Sequence, residues 1–314
     1  MKVIKKIYIA LLTGMLCISF SITGCASENA KSETISSQAS QESSVAVLQE
    51  KTFSQSLVQN GKTEENQEKT TGGNKNVKTA EYTINDVDFK MIYVVAGSFT
   101  MGSQDSSVEF SESPAHKVTL TRDYLMGETE VTEALWNAVM DNGGGSKSIP
   151  KTSVTWNQAH EFIDKLNTIA HKQNIISDDE NFKLPTEAQW EFAAKGGNFS
   201  KGYKYSGSDN IDDVAETMEN TGSNSPVAVK QKQPNELGIY DMSGNAYEWV
   251  DDYAGSYSSG DQVDPQNMTP SRSYVKRGGS NYHRFSSEPY LFTTTGRYFY
   301  ESTDWTIGFR IALQ

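Results

Sequence analysis

Large apolar side chains are spread so unevenly along this chain that any packed core must lie in its C-terminal three quarters. From Ala26 to about Ala80 the sequence runs through Ser, Gln, Glu, Lys, Asn and Thr with few bulky apolar residues. Such a stretch cannot bury enough surface to offset the entropy of ordering it, so residues 25–80 are expected to form a disordered tether. Flexible chain of that length reaches on the order of 40 Å. An amphipathic helix near Val45–Leu57 is the alternative for part of it. From Glu81 onward the texture reverses. The chain's 15 Tyr and 5 Trp supply bulk for a sizeable core, and residues 81–314 are expected to form one domain with no internal repeat.

The first 24 residues stand apart. Lys2, Lys5 and Lys6 precede an apolar run from Ile7 to Phe20, the order of an export signal. The run is short for a spanning helix, which needs about 20 apolar residues. It ends in Ile22-Thr23-Gly24-Cys25, which resembles the lipobox of bacterial lipoproteins. That resemblance implies cleavage before Cys25, lipidation of its thiol and an envelope location. Acyl chains contribute about 0.8 kcal/mol per buried methylene, so a multiply acylated Cys25 would hold the chain on a membrane.

Cysteine count then narrows the chemistry. Cys17 and Cys25 are the chain's 2 cysteines, so the segment beyond Cys25 can hold neither a disulfide nor a thiolate metal site. Removing residues 1–24 deletes three lysines and no acids, which takes the formal charge from −12 to −15. A balance this acidic argues against a nucleic-acid partner, whose phosphates reward clustered Lys and Arg.

Within 81–314 the local signals are mixed. Met91–Val95 reads as a buried strand closed by Gly97, and Val118–Leu120 alternates as a strand does. A short helix opens at Thr132 and runs to Met140 before the Gly143-Gly144-Gly145 turn. Thr155 with Gln158, and Thr186 with Gln189, form two capping boxes. The first opens a helix with Trp156, Ala159, Phe162, Ile163, Leu166, Ile169 and Ala170 along one face. The second helix runs to Lys195 and stops at Gly196-Gly197. Strands and loops are expected beyond it, giving an α+β domain.

Longer motifs occur in a fixed order: Val95 to Gly102, Glu130-Val131-Thr132 with Trp136, Val154-Thr155-Trp156, Leu184 to Ala194, and Pro234 to Asn245 continuing through Glu248-Trp249-Val250. Arg277-Gly278-Gly279-Ser280 and Gly308-Phe309-Arg310 complete the set. Together they resemble the formylglycine-generating enzyme, or sulfatase-modifying factor, family over nearly all of 81–314. The resemblance implies that family's variant of the C-type lectin fold: a twisted mixed sheet, two main helices and long loops. Oxidising members hold copper(I) with two cysteines shortly after the Gly-Gly-Ser motif, and soft thiolates suit that ion. Without gaps those positions fall at His283 and Glu288, and Ser280 matches the family serine. Copper is therefore not expected, and no residue is assigned as catalytic. Asp241, Gly244, Ala246 and Glu248 match positions of a structural calcium site, for which carboxylates and carbonyls on a tight loop are suitable hard ligands.

Arg310 ends the last core strand and is expected to pair inside the domain. His160 and Asp164, at i and i+4, could bind a metal weakly but read more simply as a solvated helix face. The segment from Asn281 to Trp305 is rich in Tyr, Phe, Ser, Thr, Asn and His, a composition suited to recognition. Tyr282, His283, Arg284, Tyr298, Tyr300 and Trp305 are its candidate ligand contacts. The region also resembles the variable segment of retroelement-diversified proteins of this fold. Three functions follow as expectations: a binding module for a protein, peptide or glycan; an oxidase acting on a sulfatase cysteine; or an accessory subunit of a surface assembly.

Overall fold

A computed structural model describes residues 77–104 and 110–314. The expected signal, lipidated Cys25, Val45–Leu57 helix and tether up to residue 76 lie outside the described residues. The last residues assigned to the tether, 77–80, join the domain instead, because a strand starts at Thr79 and Val77 packs against the core. No helix among the described residues is long and apolar enough to cross a membrane.

Strand β1 (Thr79–Ile84) turns through Asn85-Asp86 into β2 (Val87–Val94), with Ile84 opposite Val87. Both turn residues have positive φ, 47° and 66°, a geometry that follows the right-handed twist of the two strands. Asn and Asp tolerate it better than other residues that carry a Cβ. Alternation then buries Ala80, Tyr82 and Ile84. β2 thus begins ahead of the apolar run that marked it in the sequence.

The strands sort into three sheets, in keeping with the mixed-sheet α+β fold expected. The first has the order β1-β2-β5-β12-β6, where β5 is Tyr124–Gly127, β6 Phe182–Lys183 and β12 Ala312–Leu313. The second has the order β10-β9-β7-β11, from Arg297–Tyr300, Tyr274–Arg277, Tyr247–Tyr253 and Ile307–Phe309. The third has the order β3-β4-β8, from Gly97–Met101, His116–Leu120 and Gln262–Val263. β11 runs parallel to β7 and β8 parallel to β4, with the other pairs antiparallel.

Three helices carry threonine caps. α1 (Glu133–Met140) starts at Thr132, and α2 (Trp156–Lys172) and α3 (Glu187–Ala194) start at complete capping boxes on Thr155 and Thr186. α1 ends at Asp141 in the left-handed conformation, φ 58°, before the triple glycine is reached. Two single-turn helices, α4 (Ile211–Val214) and α5 (Met218–Thr221), occupy a stretch expected to hold only strands and loops.

The first core cluster is centred on aromatic packing between α1, α2 and β11. Trp136 stacks on Phe162 at 5.3 Å, and Phe309 meets both rings edge-on at 6.0 and 5.2 Å. Rings in such arrangements gain about 0.5–1.5 kcal/mol beyond their area burial. The second cluster gathers Trp190 and Phe192 of α3 with Val94, Val118, Val250 and Val275. All residues of α3 are buried, including Glu187, Gln189 and Glu191. A helix that buries two glutamates needs cations in the protein around it.

Candidate functional site

Those cations are the motif arginines. Arg297 grips Glu187 through two bonds of 2.7 and 2.8 Å, and Arg277 bonds Glu191 along with the carbonyls of Thr295 and Gly296. Arg310 holds both oxygens of Glu248 at 2.6 Å and reaches the carbonyls of Gly127 and Tyr240. All three guanidinium groups are buried, where charge persists only when paired and hydrogen-bonded. Arg310 therefore pairs inside the domain, as its motif position led us to expect.

The same pairing changes the calcium expectation. Glu248 sits in β7, and its carboxylate also accepts a 2.7 Å bond from Trp190 Nε1. With Arg310 on both oxygens it does not fit as a calcium ligand. Asp241 accepts one bond from the Lys230 amide at 2.8 Å, and burial pushes its carboxyl up to about 6. Burial and then the Asp241 charge hold Glu130 well above the carboxylate range, and its Oε2 has no hydrogen-bond partner among the described residues. Gly244 adopts φ +87°, and a Cβ there would meet the Glu216 carbonyl at 2.4 Å. No three His, Cys, Asp or Glu side chains among the described residues converge in a metal-holding group. His160 departs from its helix neighbour Asp164 and pairs with Asp251 of β7 at 3.1 Å.

The aromatic segment does converge. Tyr282, 45% exposed, and Trp305, 40% exposed, meet at 4.9 Å with ring planes 79° apart. Tyr282 also touches the His283 ring, which stands edge-on to Tyr247 at 5.5 Å. Tyr298 meets the opposite part of Tyr247 at 6.0 Å. His283 and Glu288, the positions matched to the family's cysteines, are joined by a 3.1 Å contact from Nδ1 to Oε2. Ser280 Oγ is buried and has no hydrogen-bond partner among the described residues. Of the six candidates, His283 and Tyr298 meet Tyr247 directly, Tyr282 and Trp305 join through the His283 ring, and Tyr300 joins through Lys276. Arg284 does not join them: it lies beside Glu219, whose carboxylate accepts the amides of Phe285 and Ser286.

Three members of this cluster were missed in the sequence: Tyr247, Lys276 and Asp304. Lys276 Nζ lies 3.8 Å from the Tyr247 ring centre and 4.6 Å from that of Tyr300, with Asp304 Oδ2 at 3.8 Å. Burial pulls its ammonium down to about 8, against the opposing effect of Asp304. A signal for Lys276 was present. Consecutive strand residues face opposite sides, so Lys276-Arg277 in a covered sheet must bury a cation on each.

Comparison with known proteins follows this geometry. Chaperone protein LppX of Paenibacillus barcinonensis is 34% identical over 203 residues, covering 51% of this chain and 70% of LppX. The formylglycine-generating enzyme of Mus musculus is 25% identical over 284 residues, covering 71% of this chain and 74% of the enzyme. Among solved structures, Treponema denticola variable protein 1 matches with a TM-score of 0.63 and 29% identity, over 74% of this chain and 98% of that one. Residues 77–314 match the sulfatase-modifying factor enzyme 1-like domain, and the chain belongs to that family.

Proposed function

We propose that this domain is a ligand-binding module held at the cell envelope by a lipidated Cys25, and that it does not oxidise cysteine. The His283–Glu288 pair carries the proposal. It occupies the two positions where oxidising relatives place thiolates, and the 2 cysteines of the chain, Cys17 and Cys25, lie far upstream. Imidazole and carboxylate are poor substitutes for a linear copper(I) dithiolate. In place of that centre stands a cluster of exposed aromatic rings, which supply contact area at low entropic cost. The ligand is a protein, peptide or glycan, and the likeness to a protein named as a chaperone favours the protein class. The likeness to a protein named as variable supports treating residues 281–305 as a segment that differs between relatives.

Glycan and peptide arrays, with pull-downs from envelope extracts, test the proposal. Retention of a ligand by the chain and its loss on Tyr282→Ala or Trp305→Ala is expected; unchanged binding in both variants would move the site elsewhere. A sulfatase peptide supplied with copper and oxygen should keep its cysteine, and conversion to an aldehyde would overturn the proposal. A Cys25→Ser chain should leave the membrane fraction. Calcium has a supporting role in the same proposal: Asp241, with the carbonyls of Gly244 and Ala246, would hold it and Glu248 would not. Added calcium should then raise Tm in the parent and not in Asp241→Asn; an equal response in both removes the ion from the proposal.

A further inference from the structure

We propose that Lys276 is a nucleophilic amine at the floor of the aromatic cluster, placed to capture an aldehyde ligand bearing a flat, conjugated ring as an imine. The proposal goes beyond the binding reading and adds a small-molecule ligand at the same site. Lys276 lies on β9 opposite Trp249 on one side and Tyr298 on the other, so its stem is held between the aromatic residues of two neighbouring strands. Its tip meets the rings of Tyr247 and Tyr300. The Asp304 carboxylate at 3.8 Å stands beyond hydrogen-bond reach, and Nζ makes no other ion pair or hydrogen bond among the described residues. An ammonium carries three donors and is costly to leave unbonded in a half-dry site. The side chain nevertheless keeps 10% of its surface open.

The electrostatic consequence favours the free base. With the ammonium lowered to about 8, about a quarter of Lys276 would be neutral at pH 7.5, against about one in a thousand for an ordinary lysine. Only the neutral amine has the lone pair that attacks a carbonyl. Acid–base groups stand around the same Tyr247 ring. Asp304 is near the amine, the His283–Glu288 pair lies at the ring's edge, and the Tyr247 phenol is kept protonated by burial and then by Glu288 and Asp304.

The step balances without an oxidant. The Lys276 lone pair forms the C–N bond while the carbonyl π pair moves to oxygen, which takes a proton. The nitrogen loses one proton, the hydroxyl takes a second proton from solvent and leaves as water, and the nitrogen lone pair forms the C=N bond of the iminium, so one proton is taken up overall. The faces of Tyr247 and Tyr300, which already flank a cation, favour a planar iminium, and this is the basis for choosing a conjugated aldehyde.

The test is reductive trapping on the full chain. Brief exposure to benzaldehyde with cyanoborohydride at pH 7.5, followed by peptide mass mapping, should label Lys276 at least tenfold faster than the other lysines. Its rate should level off above pH 8, while that of exposed lysines continues to rise. Lys276→Arg should remove the fast phase and leave the slow labelling unchanged, with circular dichroism reporting an intact fold. Labelling spread over surface lysines, with Lys276 no faster than the rest, would overturn the proposal. The two proposals can fail separately. A chain trapped at Lys276 that binds nothing through Tyr282 and Trp305 ends the binding reading, and the converse result ends this one.

Discussion

Lys276 and Arg277 are neighbours on one strand, and the two faces of their sheet treat a buried cation in opposite ways. On one face Arg277 meets the Glu191 carboxylate and the carbonyls of Thr294, Thr295 and Gly296. On the other, Lys276 has two aromatic rings and a distant carboxylate. A cation held by several short bonds is fixed in one arrangement and adds to the specificity of the fold, even though the Arg277 Nε itself has no hydrogen-bond partner among the described residues. One left short of acceptors has chemistry to spare, and strongly perturbed groups of that kind gather at functional sites. On the pinned face Arg277, Arg297 and Arg310 each hold a buried carboxylate, and the other face is where our proposal places the ligand.

The largest test of that contrast is to remove one side of a buried pair. Arg310→Met leaves Glu248 charged in a dry interior, and a loss of about 3–5 kcal/mol is expected, enough to abolish folding. Urea unfolding followed by circular dichroism measures it, and a loss below about 1 kcal/mol would mean that the pinned face does not hold the domain together. Lys276→Met should do the reverse and stabilise the protein. Because the Lys276 pKa falls from 10.5 to about 8 on folding, the unfolded chain binds more protons between those values. The penalty is therefore fully present below pH 8 and fades as pH rises toward 10.5. A gain of about 3 kcal/mol at pH 7, shrinking by pH 10, is the expected pattern in paired melts; a gain independent of pH would show that packing, not charge, is responsible.

Smaller effects sharpen the picture. Thr186→Ala removes the acceptor for the Gln189 amide at the start of α3 and should cost about 1 kcal/mol. The smallest change in stability, within about 0.5 kcal/mol, is expected for Trp305→Ala, the same substitution that should reduce ligand affinity at least tenfold. If Trp305→Ala instead destabilises as Arg310→Met does, the aromatic cluster is core and not recognition surface.

What the sequence made legible was local. The capping boxes at Thr155 and Thr186 and the apolar face of α2 depend on residues three or four apart, and each was found where the spacing placed it. The pairing of Arg310 followed from a charged residue closing a core strand. Features set by distant partners were hidden. Glu248 resembled a calcium ligand because nothing near it in the chain announces a guanidinium arriving from Arg310. His160 read as part of a solvated helix face, whereas it pairs with Asp251 from another element. The division into three sheets depends on which short strands meet, and two-residue strands such as β6 and β12 carry no readable alternation. Five of the six proposed contacts are linked through rings and Lys276, an arrangement that their composition did not announce. Tyr247, which two of them meet, belongs to a different motif.

The order of synthesis adds a further consequence. β12 lies between β5 and β6, and β11 flanks β7, yet these two strands, Ile307–Phe309 and Ala312–Leu313, follow all three of those partners in chain order. Until they emerge, two strands of the largest sheet have nothing to bond between them, and Glu248 waits without its counter-charge. A chain being made therefore stays unlocked until residues 307–313 are available. Losing that short segment would cost two sheets a strand each and Glu248 its guanidinium.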